Sequence, residues 1–70
     1  MIDSKSLIHE SASIADNVKI GAYAVIDKNV SIGEGTVIKE YAVIRENTSI
    51  GQNNYIYQFA TIGEEPQDLK

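Results

Sequence analysis

The sequence predicts an all-β fold in which short parallel strands coil into a three-sided prism. Two observations indicate this: isoleucine recurs at a strict spacing of six, and the tetrapeptide YAVI at 23–26 is repeated at 41–44. Eleven consecutive isoleucines follow the spacing: Ile2, Ile8, Ile14, Ile20, Ile26, Ile32, Ile38, Ile44, Ile50, Ile56 and Ile62. On a strand, every sixth side chain points to the same face. On an α-helix, six residues advance the side chain by roughly 240°, which would spread the isoleucines over three faces.

Each hexapeptide reads as one short strand and one turn. The position four residues after isoleucine is usually small or β-branched and is expected to point inward: Ala12, Val18, Ala24, Val30, Thr36, Ala42, Thr48 and Ala60. The position three residues after isoleucine is often Asn or Gly: Asn17, Asn29, Gly35, Asn47 and Asn53. These residue types tolerate a left-handed backbone, so we expect a corner there. We assign the glycines that directly follow isoleucine to the same corners: Gly21, Gly33, Gly51 and Gly63.

Three hexapeptides make one coil of the prism. Residues 23–35 and 41–53 are identical at eight of thirteen positions, and the distinctive columns repeat in every third hexapeptide and not in each one. One such column contains Tyr23, Tyr41 and Phe59. With three hexapeptides per turn, these three rings are expected to stack at one corner and to shield it.

The pattern stops after Ile62. Pro66 takes an inward position and has no N–H for a ladder, and Asp68 takes the next isoleucine position, where a lone carboxylate would be buried at high cost. We therefore divide the chain into β-helix coils at 1–63 and a loop leaving them at 64–70. So short a prism leaves open strand edges, and we expect it to self-associate or to be the start of a longer chain.

The composition argues against several partners and compartments. The six basic residues are scattered and the formal net charge is −4, so no nucleic-acid or anionic-membrane surface is expected. The chain has no cysteine, no signal peptide at its start and no apolar run long enough to span a membrane. These features predict a cytoplasmic protein without membrane insertion.

The isoleucine-led hexapeptides resemble the hexapeptide-repeat acyltransferases. The stretch IGQNNYIYQFATIGEEPQDLK at 50–70, the opening MID, and IGEGTVIK at 32–39 are more specific. Together they resemble the N-terminal part of the acyl-ACP–UDP-N-acetylglucosamine O-acyltransferases, which catalyse the first step of lipid A biosynthesis. The resemblance covers essentially the whole chain, of which only N-terminal coils would then be present. It implies a left-handed parallel β-helix, although the general rule for parallel crossovers favours the right hand.

The resemblance also implies a homotrimer with active sites between subunits, and a reaction. A 3-hydroxyacyl group passes from acyl carrier protein to the glucosamine 3-hydroxyl of UDP-N-acetylglucosamine, without a metal or other cofactor. The catalytic base of the family is a histidine on a later coil, so this chain is expected to be inactive alone. His9 does not match that motif and is interpreted as a corner residue. The resemblance assigns substrate binding to Asp68 and Lys70, with Gln67 as a weaker candidate from the same loop.

Three other functions are weighed against this interpretation. The chain could be a structural, self-assembling β-helix module without catalysis. A metal enzyme of the carbonic anhydrase type would need several histidine ligands, and His9 is the only histidine of the sequence. An ice-binding face would need a threonine column, which Thr36, Thr48 and Thr61 do not form.

Overall fold

The computed structural model describes residues 1–63, which form ten strands and no helix. Within this range, no helix is long and apolar enough to cross a membrane. Each strand has two residues, and each ends on one of the periodic isoleucines: β1 (Leu7–Ile8), β2 (Ser13–Ile14), β3 (Lys19–Ile20), β4 (Val25–Ile26), β5 (Ser31–Ile32), β6 (Val37–Ile38), β7 (Val43–Ile44), β8 (Ser49–Ile50), β9 (Tyr55–Ile56) and β10 (Thr61–Ile62).

The strands form three parallel sheets, one for each side of the predicted prism. Sheet 1 has the order β1-β4-β7-β10, sheet 2 β2-β5-β8 and sheet 3 β3-β6-β9. Each strand residue pairs with its equivalent three hexapeptides later, as Val25 does with Val43. Backbone hydrogen bonds join successive coils in both directions: the Val25 N–H donates to the Ala42 carbonyl of the next coil at 2.9 Å, and the Asn47 N–H donates to the Lys28 carbonyl of the preceding coil at 3.0 Å. The predicted coil of three hexapeptides is confirmed, and the fold is a left-handed parallel β-helix.

The core is the column of inward side chains that the repeat predicted. Its buried apolar members are Val18, Ile20, Ala24, Ile26, Val30, Ile32, Ile38, Ala42, Ile44 and Ile50. Ile26, Ile38 and Ile44 are at most 1% exposed, whereas Ile8 and Ile62 near the two ends of the described coils are half-buried. Ile2 is 46% exposed, because it belongs to the first coil and is covered from one side only. The isoleucines with the lowest exposure, Ile26, Ile38 and Ile44, therefore lie in the middle of the described coils.

The corners lie where the asparagines predicted them. Asn17, Asn29, Asn47 and Asn53 have φ between 57° and 63°, and Gly35 has φ 77°. Gly21, Gly33 and Gly51 lie at the start of the corners and do not have the positive φ of the residues that follow, and the Gly21 carbonyl accepts the Ala24 N–H across its turn at 3.3 Å. Gly21 and Gly33 instead allow close stacking: a Cβ on Gly33 would lie 2.6 Å from the carbonyl carbon of Gly51.

Tyr23, Tyr41 and Phe59 stack at one corner, as predicted. Adjacent ring centroids are 5.3 Å apart, with interplanar angles of 19° and 11°. All three residues also adopt the left-handed backbone, with φ of 63° to 64°. This conformation is rare for bulky side chains and was not predicted, because an aromatic residue gives no local signal for it. The stacked rings are the tertiary contact found together with this left-handed backbone.

Candidate functional site

The predicted binding residues follow the last described coil in the sequence. Gln67, Asp68 and Lys70 themselves lie outside the residues that the structure describes, as does the predicted loop at 64–70. The division at 63/64 therefore stays a prediction. The described residues that directly precede this segment are those of β10 and Gly63.

β10 holds the final part of the described chain firmly against the coil below. Thr61 and Ile62 pair with Val43 and Ile44 of β7, and the Arg45 N–H donates to the Ile62 carbonyl at 2.9 Å. Immediately after this bond, Gly63 bends with φ 90°. Arg45 occupies the position equivalent to Gly63 in the preceding coil and is exposed, so a cationic side chain lies one coil below the bend.

Gly63 lies against Thr48, an inward-facing residue at the corner between sheets 1 and 2. A Cβ built on Gly63 would overlap Oγ1 of Thr48 and lie 3.0 Å from its Cβ. The sequence pattern assigned Gly63 to an ordinary corner with three other glycines and did not identify this contact. A useful signal was available in the position itself, since Gly63 directly follows the last periodic isoleucine before the pattern fails.

An exposed aromatic pair on sheet 3 was also missed. Tyr55 and Tyr57 flank the inward Ile56, so both point outward, and their rings meet edge to face with centroids 4.9 Å apart. They are 51% and 66% exposed. Two tyrosines at positions i and i+2 of a predicted strand would have revealed the pair, because alternate strand residues share a face.

The upper edge of the last coil offers hydrogen-bonding groups to a further strand. In each lower coil, the N–H groups flanking the isoleucine donate to the coil above, as the Ser31 N–H does to Thr48 and the Gly33 N–H to Ile50. The equivalent N–H groups of β8, β9 and β10 have no such partner among residues 1–63. Ile56 and Ile62 are also only half-buried there, so this end of the described coil exposes both apolar and polar groups to a covering segment.

His9 follows β1 directly and stabilises the first corner of the coil, as a corner residue should. Its Nδ1 accepts the Ser11 N–H at 3.1 Å and lies 2.8 Å from the Ser11 Oγ. Ser11 Oγ in turn accepts the Asn29 N–H at 2.9 Å, which links this corner to the next coil. His9 lies three coils below Gly63, about 14 Å away by the usual spacing between strands. The geometry gives His9 a structural role at a distance from the candidate site.

A metal centre has no support in the described part of the chain. Between residues 1 and 63, no group of three or more His, Asp or Glu side chains is arranged to hold a metal ion.

Comparison with known proteins gives one family and several structural relatives. The family model described as bacterial transferase hexapeptide (six repeats) matches residues 11–46 and 29–64. No curated protein sequence matches the chain.

The structural relatives are acyltransferases. UDP-N-acetylglucosamine acyltransferase of Francisella novicida superposes with a TM-score of 0.93 at 51% identity, covering 97% of this chain and 25% of its own. LpxA of Acinetobacter baumannii has a TM-score of 0.93 and 48% identity, covering 97% of this chain and 26% of its own. The Moraxella catarrhalis UDP-N-acetylglucosamine O-acyltransferase has a TM-score of 0.92 and 52% identity, covering 99% and 27% respectively. The chain thus spans about a quarter of the length of these structures.

Proposed function

The chain belongs to the bacterial transferase hexapeptide family, and we propose that it supplies the first coils of an acyltransferase acting on UDP-N-acetylglucosamine. The proposed reaction transfers a 3-hydroxyacyl group from acyl carrier protein to the glucosamine 3-hydroxyl, as the first step of lipid A synthesis. The observation that carries this proposal is the superposition on three acyltransferases at 48–52% identity over at least 97% of the chain. A shared β-helix alone would indicate only the fold, whereas this identity extends to side chains.

The reaction requires a base and an oxyanion site. The sugar hydroxyl oxygen attacks the thioester carbonyl, an ester C–O bond forms, and the C–S bond breaks. The hydroxyl proton passes to a base, and the carrier thiolate leaves and is protonated. Because His9 serves a corner of the first coil, the base belongs to another part of the enzyme. The described residues act as a scaffold and as the approach to the sugar-nucleotide site.

Gln67, Asp68 and Lys70 are the proposed contacts with the sugar nucleotide. A carboxylate accepts hydrogen bonds from sugar hydroxyls, and an ammonium donates to hydroxyls or to phosphate oxygens. In the natural protein that carries this chain, Asp68→Ala and Lys70→Ala should each weaken UDP-N-acetylglucosamine binding by about tenfold or more, since charge-assisted bonds contribute about 1.5–3 kcal/mol. Isothermal titration calorimetry measures this, and unchanged far-UV circular dichroism shows that the fold is retained. Unchanged affinity in both variants would refute their assigned roles.

The activity itself has a direct test. The natural protein is incubated with 3-hydroxyacyl-acyl carrier protein and UDP-N-acetylglucosamine, and the acylated sugar nucleotide is detected by mass spectrometry. A matched reaction with UDP-glucose tests whether the acetamido sugar is required. Absence of product from a correctly folded sample would contradict the proposal and favour the alternative, a structural β-helix module.

The proposal includes assembly as a homotrimer in the cytoplasm. Its support in this chain is the exposure of large apolar side chains along sheet 1 and the corner before it, including Leu7 at 67% and Tyr41 at 49%. Exposed apolar surface of this kind is typical of interaction sites. Sedimentation velocity of the natural protein measures the mass, and a stable folded monomer would contradict both the trimer and the expected self-association.

A further inference from the structure

Most left-handed corners are joined to the coil below by backbone atoms alone. Each of these N–H groups donates to a carbonyl one coil lower: those of Tyr23, Gly35, Tyr41, Asn47, Asn53 and Phe59. Asn29 differs, because its N–H donates to the side-chain Oγ of Ser11 at 2.9 Å. Asn47 lies at the same corner one coil higher and donates to the Lys28 carbonyl at 3.0 Å. The two asparagines share a left-handed φ, 57° and 63°, and differ in the acceptor of the N–H.

Ser11 is in turn held by the imidazole ring of His9. The Ser11 N–H donates to Nδ1 of His9 at 3.1 Å, and Ser11 Oγ lies 2.8 Å from the same nitrogen. A backbone N–H can only donate, so Nδ1 is the acceptor and carries no proton in this arrangement. Because Oγ already accepts the Asn29 N–H, its own proton is directed to Nδ1. The link between the first two coils at this corner therefore ends on an unprotonated ring nitrogen.

Charged side chains lie beside this ring. Glu10 is its neighbour in the chain, and the pairing of β1 with β4 places Asp27 at the equivalent position of the coil above. His9 and Asp27 line the same shallow groove of sheet 1. Lys28 occupies the position above Glu10, and its N–H donates to Oδ1 of Asp27 at 2.8 Å. A protonated His9 ring thus has an acidic group beside it in the coil above.

We propose that His9 is a pH-sensitive switch that fastens the first coil to the second. In the neutral ring, Nδ1 holds Ser11, and Ser11 Oγ holds the Asn29 N–H. Protonation of Nδ1 removes the acceptor and sets a donor against the Ser11 N–H. The ring then turns to the Asp27 carboxylate, and the Asn29 N–H opens to water. Histidine changes charge between about pH 5 and 8, so this corner loosens as the pH falls through that range.

The switch concerns the described coils and does not depend on the proposed acyl transfer. Its test compares the Asn29 and Asn47 amides by hydrogen–deuterium exchange in the natural protein that carries this chain. Mass spectrometry with electron-transfer fragmentation resolves single amides, and each rate is divided by that of the unstructured chain at the same pH. From about pH 8 to about pH 5, protection of the Asn29 amide should fall by at least about threefold. Protection of the Asn47 amide should change by less than about twofold, and equal responses would overturn the proposal.

Two variants separate the charge of His9 from its hydrogen bonds. His9→Asn keeps an acceptor for the Ser11 N–H, because asparagine Oδ1 takes the place of Nδ1 and does not titrate. Protection of the Asn29 amide should then be independent of pH. Ser11→Ala removes Oγ, so protection should be low throughout the pH range. A persistent pH response in folded His9→Asn would overturn the role of His9, and wild-type protection in Ser11→Ala would overturn that of Ser11. If His9→Asn fails to fold, the wild-type comparison and Ser11→Ala decide the proposal.

Asp27 is tested by removing its charge. Asp27→Asn keeps an acceptor for the Lys28 N–H but takes away the negative charge beside His9. The midpoint of the fall in Asn29 protection should move to lower pH by at least about half a unit, because the protonated ring loses its acidic neighbour. Glu10→Gln is the control with the same loss of charge and should move the midpoint less. An unchanged midpoint in Asp27→Asn, or a larger shift in Glu10→Gln, would reject Asp27 as the partner of the protonated ring.

Discussion

Replacing Thr36 with valine should destabilise the fold, although valine fits the position. Thr36 is fully buried and shares a column with Val18, which is 3% exposed. The Thr36 hydroxyl donates to the Gly51 carbonyl at 2.8 Å and accepts the Asn54 N–H at 3.2 Å. Valine would leave both backbone groups without these partners. Because the hydroxyl joins the coil of Thr36 to the coil above, its loss weakens the connection between them.

The magnitude follows from two opposing terms. Two hydrogen bonds contribute about 0.5–1.5 kcal/mol each, so their loss costs about 1–3 kcal/mol. The additional buried methyl group returns about 0.8 kcal/mol. The net effect is a loss of about 0.2–2 kcal/mol in the free energy of unfolding. The loss lies in the lower part of this range because Gly51 and Asn54 are exposed enough for water to replace part of the bonding. If only the inward apolar pattern mattered, Thr36→Val would instead increase the free energy of unfolding.

The measurement is urea unfolding of the natural protein that carries this chain, followed by far-UV circular dichroism. Thr61→Val is the matched control: it makes the same chemical change on the exposed side of β10 and should alter the unfolding free energy by less than about 0.5 kcal/mol. The expected order of stability is wild type and Thr61→Val together, with Thr36→Val below them. If Thr36→Val unfolds at the same urea concentration as the wild type or higher, the hydroxyl does not connect the coils as described.

Three further pairs of substitutions probe the core and the corners in the same urea-unfolding assay. Ile44→Ala should lower the free energy of unfolding by about 2–5 kcal/mol, because Ile44 is fully buried between coils. Ile62→Ala should lower it by less, because Ile62 is half-buried, and equal losses would contradict the difference in burial. Tyr41→Ala should lower the free energy of unfolding by about 1–3 kcal/mol, since Tyr41 stacks on one ring above and one ring below. Tyr23→Ala removes only one ring contact, so it should lower the free energy of unfolding by about half as much. Asn47→Ala should lower the free energy of unfolding by about 1–2 kcal/mol, because Asn47 has a left-handed φ of 63° that alanine adopts less readily. Asn47→Gly should leave it nearly unchanged, and equal effects of the two substitutions would exclude backbone strain as the cause.

Much of the fold was predictable because one residue type repeats with one period. A spacing of six is even, so it commits every isoleucine to one face of a strand, and the recurrence of YAVI after three hexapeptides adds the number of sides. Asparagine marked the corners correctly because its short polar side chain tolerates the left-handed backbone. The glycines after isoleucine were a less reliable marker. Gly21 and Gly33 serve close packing between coils, which the linear sequence does not reveal.

The candidate site was predictable only in part. Resemblance assigned substrate binding to Gln67, Asp68 and Lys70, and that assignment stays a prediction because these residues lie outside the described range. The contact that Gly63 makes before this segment was not predictable. The contact of Gly63 with Thr48 joins two successive coils at the turn out of sheet 1, and it departs from the repeat that all other predictions used.

The sequence by itself determined the period, the inward face and the resemblance to an acyltransferase, because these depend on which residues recur and at what spacing. The tertiary structure decided everything that depends on contact between coils. It showed that Thr36 joins two coils through its hydroxyl, that Tyr23, Tyr41 and Phe59 stack in a left-handed backbone, and that Gly63 bends onto Thr48. The physical reason is that strands of two residues have little structure of their own. Their conformation comes from the coils above and below, so single residues acquire their roles only after the chain has closed around its core.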